Sequence, residues 1–124
     1  MKTTRKERID IVNQIINTIS EHGRYFFKGK FGVAHILEKN GRLYMFNEHN
    51  GHEMGISTKF GYQPKKWVHG GTLWGLTKDF KEYIITGKKT NGLNGYGGLY
   101  CDHWGYSNED MIKIRNFAKE LNYL

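Results

Sequence analysis

The residues best placed to do chemistry stand between Tyr62 and Thr72. Tyr62, Lys65, Lys66, Trp67 and His69 lead into Gly70-Gly71-Thr72, and from Leu73 the pattern changes to helical period. Leu73, Leu76, Phe80, Tyr83 and Ile84 recur at steps of three and four, and Gly87 follows where a helix closes in a left-handed conformation. The first N–H groups of such a helix have no internal partner and lie at the positive end of its dipole, so they suit phosphate or carboxylate. Gly71 lets a ligand approach the backbone where a Cβ would intrude, and the Thr72 hydroxyl adds a donor. Lys65, Lys66 and Arg24 supply supporting charge, His69 flanks the turn, and Trp67 or Tyr62 offers a face on which a base stacks. The expected site is therefore an anion-binding helix start with a preference for nucleotides. A plainer use of the same residues is a tight strand-to-helix turn with Thr72 as its cap.

Other constellations fall short of a reaction. His49 and His52 are three apart at the Asn50-Gly51 turn, but a zinc site needs further ligands, and paired cysteines are absent. The His49-Asn50-Gly51-His52 run lacks the wider ββα ligand spacing of an HNH-type nuclease. Cys101, Asp102 and His103 are consecutive, and neighbours on an extended chain point to opposite faces, so they assemble no triad by themselves. The 12 acidic residues fall mostly on helix faces and turns, which leaves no paired carboxylates for acid–base work. The glycines at 87, 92, 95, 97 and 98 match neither a P-loop nor a dinucleotide fingerprint; they read as a surface loop, a linker or a lid. No catalytic residue, metal or cofactor is assigned.

These residues must be held by a small fold. At 124 residues, 25% of them charged and 15% aromatic, the chain is expected to be one soluble domain spanning 1–124. No apolar run is long enough for a membrane span, the basic start lacks the apolar segment of a signal peptide, and one cysteine suits a reducing cytoplasm. The formal charge of +7 favours polyanions or a phosphorylated small ligand. Ile9, Val12, Ile15, Ile16 and Ile19 share one face of a first helix, with Arg8, Asp10, Asn13, Asn17 and Thr18 away from it and Gly23 as its stop. Met1 to Lys6 is expected to fray. Antiparallel strands follow from Arg24: Tyr25-Phe26-Phe27 opens the sheet with one of Tyr25 and Phe26 facing inward, and Val33 to Leu37 continues it. Lys39-Asn40-Gly41 turns the chain, Leu43 to Phe46 runs back, and Asn50-Gly51 supplies a pair with φ > 0 before Met54 to Ile56. Ser107 and Asp110 mark the start of a last helix bearing Met111, Ile114, Phe117, Ala118 and Leu121. The expected class is α+β, an antiparallel β-meander over about residues 24–66 packed against helices near 5–22, 72–86 and 107–121.

Several stretches together resemble a widespread family of small, functionally unassigned phage and prophage proteins. They are His22-Gly23-Arg24-Tyr25-Phe26-Phe27, Gly41-Arg42-Leu43-Tyr44, His69-Gly70-Gly71-Thr72-Leu73, Tyr83-Ile84 with Gly87, and Trp104-Gly105-Tyr106 with Glu109-Asp110-Met111. In that family a basic residue usually follows the His-Gly-Gly-Thr-Leu start; here Trp74 stands there, so that cation is missing. The resemblance implies a virus-derived accessory protein acting in the cytoplasm of an infected bacterium. Together with the charge and the glycine turn, it leads to a non-catalytic binder of a phosphorylated ligand, such as a nucleotide signal of antiviral defence. Direct binding of a host defence protein or of nucleic acid is the alternative, and a homo-oligomer is compatible with both. A nucleotide-acting enzyme with His69 or His103 as base comes third.

Overall fold

The computed structural model describes residues 3–23, 25–56, 66–67, 71–88, 99 and 107–124, with backbone alone for 66–67 and 71–75. Helix α1 spans Arg5–Ser20. Two short strands, β1 (Lys28–Gly29) and β2 (Gly32–Val33), pair as a small antiparallel sheet. A second sheet follows in the order β3 (His35–Lys39), β4 (Arg42–Phe46), β5 (Glu53–Ile56) and β6 (Lys66–Trp67). Helices α2 (Gly71–Thr86) and α3 (Asn108–Glu120) complete the α+β fold, close to the expected bounds.

The first helix starts as its sequence instructs, though earlier than a fraying terminus would allow. Thr4 and Glu7 form a reciprocal capping box: the Glu7 N–H donates to Thr4 Oγ1 at 3.1 Å, and the Thr4 N–H donates to Glu7 Oε1 at 2.9 Å. Gly23, with φ 52°, stands just beyond the helix end. Gly87 takes φ 76° after α2 and its N–H donates to the Tyr83 carbonyl at 2.8 Å. At the head of α3, the Ser107 hydroxyl accepts from the Asp110 N–H at 3.2 Å.

Two turns differ in kind. Asn40 and Gly41 both have positive φ, 52° and 78°, so β3 and β4 are joined by the tight hairpin expected of Asn-Gly. Between β4 and β5, Gly51 alone is left-handed; its N–H donates to the Asn47 carbonyl at 2.9 Å, and the Asn47 N–H donates to the His52 carbonyl at 2.8 Å. The second connection is therefore a longer loop and not a two-residue turn. Side-chain bonds hold it: the Asn47 and Asn50 amide oxygens accept from the N–H groups of His49 and His52, each at 2.8 Å.

The sheet also departs from the expected meander at both ends. Tyr25 to Phe27 is not a strand, because Tyr25 and Phe27 are left-handed with φ 55° and 69°. That twist sends Phe27 into the core while Tyr25 stays exposed and Phe26 packs partly inward. At the far end, β6 runs parallel to β5, with Gly55 opposite Lys66 and Ile56 opposite Trp67. Only β3 to β5 form the antiparallel meander.

One core joins the layers. Val12, Ile15, Ile16 and Ile19 from α1 are fully buried with Leu76, Phe80 and Ile84 from α2, Ile114 and Ala118 from α3, and Ile36 and Met45 from the sheet. Tyr123, beyond α3, is also buried and meets Phe80 and Tyr83 edge-on, with centroids 5.5 and 5.0 Å away. Asn13, which the helical pattern turns away from the core, faces the sheet instead. Its amide donates to the Ile36 carbonyl at 2.8 Å and accepts from the Ile36 N–H at 2.6 Å, doing for β3 what a neighbouring strand would do. No helix among the described residues is long and apolar enough to cross a membrane.

Candidate functional site

A cleft of about 410 Å³ opens where the start of α1 and the second half of α2 meet one end of the larger sheet. Arg5 comes from the first turn of α1, and Gly41, Arg42, Leu43 and Tyr44 from the hairpin and the start of β4. Gly55 and Ile56 come from β5, and Lys81 and Ile85 from α2. Lys81 and Ile85 are four apart, hence on the same helix face. The tight Asn40-Gly41 turn leads directly into Arg42, a lining residue of the cleft and the first residue of β4.

Among the described residues, three cations and no acid line this cleft. Arg5 is partly engaged, donating to Glu38 Oε2 at 2.8 Å from a side chain that is still 38% exposed. Lys81 Nζ donates to the Ile56 carbonyl at 3.4 Å, a long bond. The Arg42 guanidinium makes no hydrogen bond or ion pair among the described residues. Leu43, Ile56 and Ile85 give the wall an apolar part, and Tyr44 adds an aromatic ring. Chemically, the arrangement suits an anion attached to an apolar or aromatic body: the cations meet charge with charge-assisted hydrogen bonds, and the wall takes the remainder.

The site expected from the sequence meets this cleft only in part. Arg24, Tyr62, Lys65, His69 and Gly70 lie outside the described residues, as do Cys101, Asp102, His103 and the glycine-rich stretch beyond Lys88. Lys66 and Trp67 form β6, whose backbone pairs with that of Gly55 and Ile56, two residues that line the cleft. Gly71 is the first residue of α2 and Thr72 falls in its first turn. Ten residues separate Gly71 from Lys81, about 15 Å along a helix, so the helix start and the cleft are separate places. Of the histidine pair, His49 and His52 are both exposed on the β4–β5 loop, with His49 Nε2 4.0 Å from Glu48 Oε1.

Arg5, Arg42 and Lys81 were not singled out by spacing, because they come from three elements far apart in the chain. A partial signal was present: Lys81 shares a helix face with Ile85, and Arg42 directly follows a turn whose Asn-Gly pair fixes its direction.

The comparisons with known proteins bear on this fold as a whole. The family model YoqU matches residues 2–124. The SPbeta prophage-derived uncharacterized protein YoqU of Bacillus subtilis (strain 168) is 31% identical over 121 residues, covering 95% of this chain and 83% of the relative. No solved structure matches the chain. A match over nearly the whole length, together with that relative, means that the chain belongs to the YoqU family of phage and prophage proteins.

Proposed function

We propose that this phage-type protein is a non-catalytic binder of a phosphorylated small ligand, a nucleotide or nucleotide signal, held in the cleft between α1, α2 and the sheet. Working in the host bacterial cytoplasm, it would withdraw that ligand from an antiviral defence pathway. The observation that carries the reading is the gathering of Arg5, Arg42 and Lys81 around one cleft with apolar walls and, among the described residues, no acid. Its volume of about 410 Å³ is far larger than a lone phosphate requires and lies within the range of small-molecule sites. The net charge of +7 adds long-range attraction for such a ligand. Membership of a prophage family supports the accessory role.

Titration calorimetry with nucleoside mono-, di- and cyclic phosphates tests this. Arg42→Gln combined with Lys81→Gln should weaken binding by roughly tenfold or more, as loss of hydrogen bonds to charged groups does. Gly71→Ala and the Lys65→Ala, Lys66→Ala pair form a second arm. Should these weaken binding while the cleft variant does not, the ligand sits at the helix start and not in the cleft. A parent protein that binds none of these phosphates at millimolar concentration sinks the whole reading.

A further inference from the structure

A second surface lies away from the cleft, on the β1–β2 hairpin and the turn that leads into it. We propose that this hairpin binds single-stranded nucleic acid, stacking bases on Tyr25 and Phe31 and holding the adjoining phosphates with Lys28 and Lys30. Both rings belong to the large apolar side chains most open to solvent, Tyr25 at 58% and Phe31 at 50% of full exposure. Each ring has a cation over one face: Lys28 Nζ is 5.8 Å from the centre of Tyr25, and Lys30 Nζ is 5.8 Å from that of Phe31. A base stacked on either ring therefore places its phosphate within reach of an ammonium group. Lys30 and Phe31 form the turn between β1 and β2, and Tyr25 and Lys28 stand on the stretch that leads into it, so both ring–cation pairs belong to one hairpin and its approach.

The platform is held in place before any ligand arrives. A Cβ on Gly29 would lie 2.4 Å from the Glu48 carbonyl oxygen, so β1 rests directly on the β4–β5 loop. The Phe31 N–H donates to that same carbonyl at 3.1 Å. The Phe31 ring lies against Gly51, where a Cβ would come within 3.0 Å of the ring. Glu48, the acid of this loop, is 1% exposed and presents little surface to a phosphate chain, whereas Lys28, Lys30, His49 and His52 are exposed. A ring held in this way, as Phe31 is, loses little freedom on binding. Single strands are preferred over duplex because their bases are free to leave their neighbours and stack on protein.

Fluorescence anisotropy with labelled 12-nucleotide dT and rU strands, and with a duplex of equal length, tests the proposal. The parent should bind the single strands more tightly than the duplex, and the dT and rU arms report whether the sugar matters. Tyr25→Ala and Phe31→Ala should each weaken strand binding roughly five- to hundredfold, the range for losing one stacked base. Phe31→Tyr, which keeps the ring, should restore it. Lys28→Gln with Lys30→Gln should flatten the slope of log K against log salt by about 1.4, since each phosphate neutralised on a single strand adds about 0.7 to that slope. Arg42→Gln with Lys81→Gln should leave strand binding intact, which separates this surface from the phosphate cleft. Equal binding of duplex and single strand overturns the proposal, and so do alanine variants at both rings that bind like the parent.

Discussion

Asn13 shows how much one side chain can decide. Its amide matches both backbone groups of Ile36, at 2.8 and 2.6 Å, so removing it strands a donor and an acceptor in a partly buried place. Asn13→Ala should cost about 1–3 kcal/mol in urea unfolding, the penalty for buried polar groups left without partners. Asn13→Asp should be no rescue, because a carboxylate accepts from the Ile36 N–H but repels its carbonyl. At the start of the same helix, the Thr4 N–H and then the Thr4 hydroxyl hold Glu7 below its ordinary carboxylate range, with Arg8 adding to the effect. A folded pKa below the unfolded one stabilises the fold above the ordinary carboxylate pKa, and that contribution is lost as pH falls through the folded value. Melting curves should thus show Glu7→Gln less stable than the parent at pH 7 and indistinguishable from it once Glu7 is protonated in both folded and unfolded chains. Thr4→Ala should cost about 0.5–2 kcal/mol at neutral pH. The capping box formed by Thr4 and Glu7 overturns, from Thr4 onward, the fraying expected of Met1 to Lys6, although its signal is local, whereas the partner of Asn13 lies 23 residues away and has no local trace.

Among the elements, the helices were the easiest to foresee. Apolar period, Gly87 beyond α2 and Ser107 before α3 all act within a few residues, and local signals of that kind survive folding. The strands were harder. Asn40-Gly41 forms the tight turn its types demand, but Asn50-Gly51 does not, because the amides of Asn47 and Asn50 bond neighbouring N–H groups and stabilise a longer loop. Aromatic residues at 25–27 suggested a strand, yet burial of Phe27 outweighs strand propensity and accepts two left-handed residues. Leu76 lies in the apolar stripe of α2 with no exposed surface, and Leu76→Ala should cost about 2–5 kcal/mol in chemical denaturation. Gly29→Ala tests the seat of the hairpin: its new methyl meets backbone at 2.4 Å, so β1 must move off the loop. Hydrogen exchange should then speed up at the Phe31 N–H, whose acceptor is the same Glu48 carbonyl, while the core of α1 stays protected.

Across the whole molecule, Arg8 ties the beginning of the chain to the end of α2. Its Nε donates to the Ile84 carbonyl at 2.9 Å, and its Nη1 donates to Thr3, to the carbonyl and, at 3.2 Å, to the hydroxyl. A cation there meets carbonyls that the helix end leaves without internal partners, and it also meets the negative end of the dipole. Arg8→Gln should lower stability by about 1.5–3 kcal/mol, measured by urea titration, if the bonds to the charged group are lost together. The positive balance of the chain was readable at once, but the meeting of Arg5, Arg42 and Lys81 was not, since it depends on how α1, β4 and α2 are stacked. Asn13 has a consequence at this scale as well. Among the described residues β3 is an outer strand of its sheet, and an outer strand with open N–H and C=O groups is a template on which another chain can add. By occupying the groups of Ile36, Asn13 blocks that addition at the second residue of the five-residue strand. The harm done by Asn13→Ala should therefore grow with protein concentration, appearing as dimers or larger assemblies in light scattering even where most molecules remain folded.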